Sequence, residues 1–79
     1  MITQLTREHV YRWVTKHAGI TNPHDKDLWY ASVTIGYDYN GSGTSIEKAY
    51  NALTDRIFKS PTIMAQLKDF DSFLKIAKG

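Results

Sequence analysis

The chain has 79 residues, of which 42% are apolar and 23% charged, and it contains no cysteine. It therefore reads as a single globular domain, 1–79, that folds without a disulfide framework or a thiolate zinc site, and its composition excludes a disordered tail. A formal charge of only +2, with cations scattered among acids, excludes a block-charged nucleic-acid arm or polybasic membrane patch.

The first element in chain order is a helix over TREHVYRWVTKHAG. Thr6 is its N-cap, Glu8 lies in its first turn, and Gly19 follows Lys16 and His17 at its end. Val10, Trp13, Val14 and His17 form its inner stripe. The next segment, LWYASVTIGYDY, alternates Trp29, Ala31, Val33, Ile35 and Tyr37 against Tyr30, Ser32, Thr34, Gly36 and Asp38, which is the period of a strand. Its flanks argue for a helix instead. Asn22-Pro23 makes an N-cap and N1 pair, Asp25 and Asp27 suit a helix start, and Gly36 suits the position after its end. A lone strand would leave a row of backbone groups unpaired, and no second strand-length β pattern is visible. The expectation is thus an all-α bundle of about four helices. The alternative is an α+β fold with one central strand, Trp29 to Tyr37, paired across a homodimer.

Between this element and the next, Tyr37 to Gly43 reads as a flexible connection through Gly41-Ser42-Gly43. A further helix opens with Thr44 and Glu47 as a capping box and carries Ile46, Ala49, Tyr50, Leu53 and Ile57 on one face. The last opens at Ser60-Pro61 and keeps a helical period through Ile63, Leu67, Phe70, Leu74 and Ala77, unless Asp69 or Asp71 caps a separate short helix.

The candidate contact surface is aromatic. Trp29, Tyr30, Tyr37, Asp38 and Tyr39 gather near the flexible connection, and tyrosine offers area and a hydroxyl at low entropic cost. Tyr37 and Tyr39 make a binding surface if their rings point outward and a lid over the core if they point inward. Trp13 and Tyr50 read as core. His9, His17 and His24 have no metal-ligand spacing, the nucleophile-elbow and phosphate-loop patterns are missing, and neither enzyme activity nor a cofactor or metal is expected.

Three short stretches resemble known families. Ala18-Gly19-Ile20-Thr21 resembles the turn of a helix-turn-helix, which would place Asp25 and Asp27 against phosphates. GSGTSIEKAYNAL resembles the start of the last helix in double-stranded-RNA-binding domains, with Ile46-Glu47 where that family has phosphate-binding lysines and too few strands ahead of it. DLWY, followed by a loop and a capped helix, is similar to the recognition segment of the small colicin immunity proteins, without their acidic patch. None of the three extends over a third of the chain, and none assigns it to a family.

The leading expectation is a non-enzymatic protein-interaction module, a small inhibitor or adaptor of the kind that phages and mobile elements encode. The alternative is a small nucleic-acid-binding regulator in which Arg12, Lys16, Lys48 and Arg56 converge. Arg7 and Glu8 stand where a secretory signal needs its apolar stretch, and no run is long enough to span a bilayer, so a cytoplasmic location is expected.

Overall fold

The computed structural model describes residues 6–22 and 27–78, so Pro23 and Asp25, which the helix reading of this region uses, and His24 lie outside the described residues. The fold is α+β. In chain order it runs α1 (Arg7–His17), β1 (Gly19–Thr21), β2 (Trp29–Thr34), β3 (Asp38–Gly43), α2 (Ile46–Phe58), α3 (Pro61–Leu67) and α4 (Asp71–Lys78). The strands form one antiparallel sheet in the order β1-β2-β3.

The expected all-α bundle is therefore wrong, and the reason is specific. Hydrogen-bond accounting favours a helix over a strand at Trp29 because no partner strand is visible in the sequence. Both partners exist, but their composition disguises them. β1 is the tripeptide GIT, and β3 is DYNGSG, whose Asp, Asn and Gly are residues depleted from strands. The α+β alternative was nearer, although the central strand ends at Thr34 and finds its partners within the same chain rather than across a dimer. Gly36, expected just beyond a helix, instead takes φ +72° in the turn between β2 and β3.

The strand alternation does what its period predicts. Ala31 is fully buried and Val33 and Trp29 are half-buried towards the helices, while Ser32 and Thr34 are exposed on the other face. Tyr39 pairs with Val33 and Gly41 with Ala31, so they share the helix side. α2 lies against β3 at unusually close range. A methyl group built on Gly41 would overlap the Leu53 backbone nitrogen and sit 2.8 Å from the Ala52 carbonyl carbon, and one on Gly43 would come 2.8 Å from the Lys48 carbonyl carbon. The segment expected to be a flexible connection is thus a strand whose missing side chains let a helix backbone in.

The helices keep most of their sequence signals. Thr6 caps α1, with its hydroxyl accepting from the His9 N–H and the His9 ring closing a reciprocal capping box. The α1 end differs slightly: Ala18 is the C-cap, extended, and Gly19 already belongs to β1. Ser45, one residue after the expected Thr44, caps α2 by accepting from the Lys48 N–H at 3.1 Å. Ser60 caps α3 with Pro61 in the first turn, and the expected last helix divides, Asp71 opening α4. The side-chain placement of Ala77 lies outside the described residues.

One hydrophobic cluster joins all these layers. Val10, Trp13 and Val14 of α1 meet Leu53 and Ile57 of α2, Ala31 of the sheet, Ile35 of the β2–β3 turn, Leu67 of α3 and Phe73 of α4. α4 returns across α1, where the Trp13 indole N–H donates to Ser72 Oγ at 2.9 Å and the Trp13 ring meets Phe70 edge-on. His17, expected on the inner stripe, is exposed and stacks on Trp13 from outside. Thr54, the one buried polar residue among those described, is satisfied: its hydroxyl donates to the Tyr50 carbonyl at 2.7 Å.

Replacing Gly41 with alanine forces α2 off β3. Gly41→Ala lowers the unfolding free energy by about 2 kcal/mol, read as an earlier urea midpoint. Ser42→Ala, one residue along on the open face, changes it by less than about 0.5 kcal/mol. Equal midpoints for the two variants would contradict the close approach.

Candidate functional site

The β2–β3 turn is the most distinctive part of the surface, and it is anchored from beneath. Ile35 is fully buried, and its backbone N–H donates to the Tyr37 carbonyl at 2.9 Å, closing the turn. Gly36 lies against α3, where a Cβ would come 2.8 Å from Gln66 Oε1. Thr34 Oγ1 donates to Asp38 Oδ1 at 2.7 Å across the base of the hairpin, so the Asp38 carboxylate is oriented on the open face.

On this base the two tyrosines take different roles. Tyr37 is 71% exposed. Tyr39 is half-buried and packs on the core. Their rings touch, with centroids 5.7 Å apart, and the Arg56 guanidinium of α2 stands 6.0 Å from the Tyr39 centroid on the cation–π pattern. The lid and the outward surface are thus both present, one ring each.

The remaining aromatic candidates lie elsewhere. Trp29 pairs with Gly43 at the far end of β2, about 13 Å of strand from the Val33–Tyr39 pair, and its ring packs against the core. Tyr30, half-buried, alternates to the opposite face of the sheet. Tyr37, Asp38 and Tyr39 are brought together, and Arg56 joins them although sequence reasoning had assigned it to the nucleic-acid set. Its eight-residue offset from Lys48 on α2 gave no sign of the ring it would cover.

The four nucleic-acid candidates divide into two pairs. Arg12 and Lys16 lie on α1, where Arg12 is committed to Glu8 at 3.1 Å. Lys48 and Arg56 lie on the flank of α2 that borders β3, about 12 Å apart along the helix. The other flank of α2 faces α1: Arg7 donates to Asp55 Oδ1 at 2.7 Å and to Asn51 Oδ1 at 2.9 Å, and Tyr11 meets Tyr50 edge-on. An open groove of about 300 Å³ runs there between Arg7, Glu8, Tyr11, Glu47 and Asn51. Its two carboxylates, Glu8 and Glu47, oppose a phosphate.

Among the described residues no group of three or more His, Asp or Glu gathers to hold a metal ion. His9 is occupied by the Thr6 cap and His17 by the Trp13 ring, while His24 lies outside the described residues. Among the described residues no helix is long and apolar enough to cross a membrane. No known family model, characterised protein or solved structure matches the chain.

The hydrogen bond donated by the Arg7 guanidinium holds the Asp55 carboxyl below its ordinary value, against the opposing effect of burial, and the charges of Arg7 and Lys59 add to the lowering. A carboxyl whose pKa is lowered by folding stabilises the fold above its unfolded pKa, and that stabilisation disappears as pH falls through the native value. Asp55→Asn is therefore less stable than the parent at pH 7. Both partners are more than a third exposed, at 39% and 47%, so the difference is less than about 1 kcal/mol. In thermal melts the two proteins converge as pH drops below about 4; a difference that persists there would show that the pair is not the cause.

Proposed function

We propose that this protein is a non-enzymatic interaction module whose partner-binding surface is the hairpin tip, Tyr37, Asp38 and Tyr39, with Arg56 beside it. The observation that carries the reading is the exposed Tyr37 ring on a turn anchored by buried Ile35, with Tyr39 against it and Arg56 over the Tyr39 ring. Tyrosine and arginine are the residue types enriched where binding energy concentrates. A tyrosine side chain has only two rotatable torsions to fix on binding, so its contact area converts efficiently into affinity. A role as a small inhibitor or adaptor in the cytoplasm, of the kind that phages and mobile elements encode, suits a domain of this size.

A second reading, nucleic-acid binding, gains from one observation. Three strands precede α2, which removes one of the differences between GSGTSIEKAYNAL and the last helix of double-stranded-RNA-binding domains. The other difference stands. Ile46 and Glu47, both exposed at the start of α2, take the place of phosphate-binding lysines, and Glu8 and Glu47 line the neighbouring groove.

Affinity capture from a bacterial lysate, with and without nuclease, separates the two. A protein recovered in stoichiometric amount after nuclease treatment, and bound about thirtyfold more weakly by Tyr37→Ala with unchanged circular dichroism, is the expected result. Tyr37 is chosen over Tyr39 because Tyr39 also packs on the core. Undiminished binding by Tyr37→Ala removes the reading. Material lost with nuclease, and weakening steeply with salt, favours nucleic acid.

A further inference from the structure

The geometry points to the outer edge of β3 as the place where a partner adds an extended, acidic segment as a fourth strand. The inference rests on the interaction reading above and names what the partner brings.

Among the described residues the hydrogen-bond pattern leaves this edge open. In an antiparallel pair, opposed residues alternate between those that exchange backbone hydrogen bonds and those that do not. The bond from Ile35 N–H to the Tyr37 carbonyl fixes the alternation, and the register carries it along the hairpin: Tyr39, Gly41 and Gly43 turn their backbone groups to β2. Asp38, Asn40 and Ser42 therefore turn theirs outward. All three are exposed, and among the described residues β3 pairs with β2 alone. Asp38, at one end, is the one charge on this six-residue edge, which carries neither proline nor lysine to deter pairing.

Charge decides between occupants. Along the helix side of this edge runs the flank of α2, with Lys48 beside Gly43 and Arg56 beside Tyr39, both exposed. A second copy of the chain paired antiparallel on this edge would bring Lys48 of one copy towards Arg56 of the other, with strands only about 4.8 Å apart. Like charges so placed oppose self-pairing. An added strand with carboxylates at alternate positions presents them to Lys48 and Arg56 on one face. Its other side chains then lie beside Asp38, Asn40 and Ser42, where small polar residues fit. Backbone pairing with side-chain selection on alternate positions is an established mode of peptide recognition.

The test uses the full chain and defined peptides of about eight residues, long enough to cover β3. One alternates glutamate with threonine, one alternates lysine with threonine, and a third is the glutamate peptide N-methylated at alternate amides. Amide exchange and chemical shifts report the contact residue by residue. The glutamate peptide is expected to bind at least tenfold tighter than the lysine peptide at low salt, with the gap closing as salt rises. It should slow exchange at Asp38, Asn40 and Ser42 selectively, because the Tyr39, Gly41 and Gly43 amides are already paired. N-methylation should abolish binding, as should Asn40→Pro, which removes an outward N–H and leaves the ladder to β2 intact. Lys48→Glu combined with Arg56→Glu should reverse the peptide preference.

Absent or charge-independent binding, or binding without protection of those three amides, overturns the inference. So does a dimer of the free protein that protects them. A captured partner that is lost with Tyr37→Ala but kept with Asn40→Pro overturns strand addition and leaves the interaction reading standing. A partner indifferent to both variants removes both.

Discussion

The close approach of α2 to β3 is the constraint on which the rest of this structure depends. A helix normally rests on a sheet with two layers of side chains between the backbones; here Gly41 and Gly43 remove one layer. Glycine in a strand interior costs about 0.5–1 kcal/mol relative to alanine. The return is position: with α2 drawn down onto β3, Leu53 and Ile57 reach Ala31 and Ile35, and α1 can lie along the opposite flank of α2. That placement brings Arg7 within reach of both Asn51 and Asp55.

A three-stranded sheet with two helices makes a thin core, and α3 and α4 complete it. Folding of so short a chain hides only about 60% of the surface its unfolded form exposes, so each large side chain carries a substantial share of the stability. Leu67 and Phe73 enter the same cluster as Val10 and Val14, and Trp13 is held between α1 and α4 by its Ser72 hydrogen bond and its contact with Phe70. α3 also touches the hairpin tip through Gln66 and Gly36. The helical extension therefore supports the core and the turn that displays Tyr37.

Surface chemistry follows from the same arrangement. α2 sorts its charges between two flanks: Glu47, Asn51 and Asp55 towards α1, Lys48 and Arg56 towards β3. The first flank is nearly neutralised by Arg7, and its remaining carboxylates discourage phosphate. The second is left positive beside a strand edge with no partner among the described residues and an exposed tyrosine. Backbone groups, an aromatic ring and two cations thus lie along one margin of the molecule.

Local chemistry made much of the helical framework legible in the sequence. Thr6, Ser60 and Pro61 marked helix starts because capping uses residues within one turn, and Val10, Trp13, Leu53 and Ile57 showed their burial through helical spacing. The alternation from Trp29 onwards was equally readable and was ranked second because its flanks resembled helix caps and no partner strand was visible. That partner could not be read, because β3 is a strand through its register with β2 and its contact with α2, neither of which leaves a mark on its own turn-like composition. The site divides in the same way. Tyr37 and Tyr39 stood out by residue type, but the outward ring, the inward ring and the arrival of Arg56 depend on how a hairpin and a helix distant in sequence come together. The sequence by itself determined where the helices begin and which of their faces are apolar, since those are interactions between near neighbours. Sheet formation, the two flanks of α2 and the open edge of β3 were decided only by tertiary structure, because each requires backbone groups or side chains from separate elements to meet.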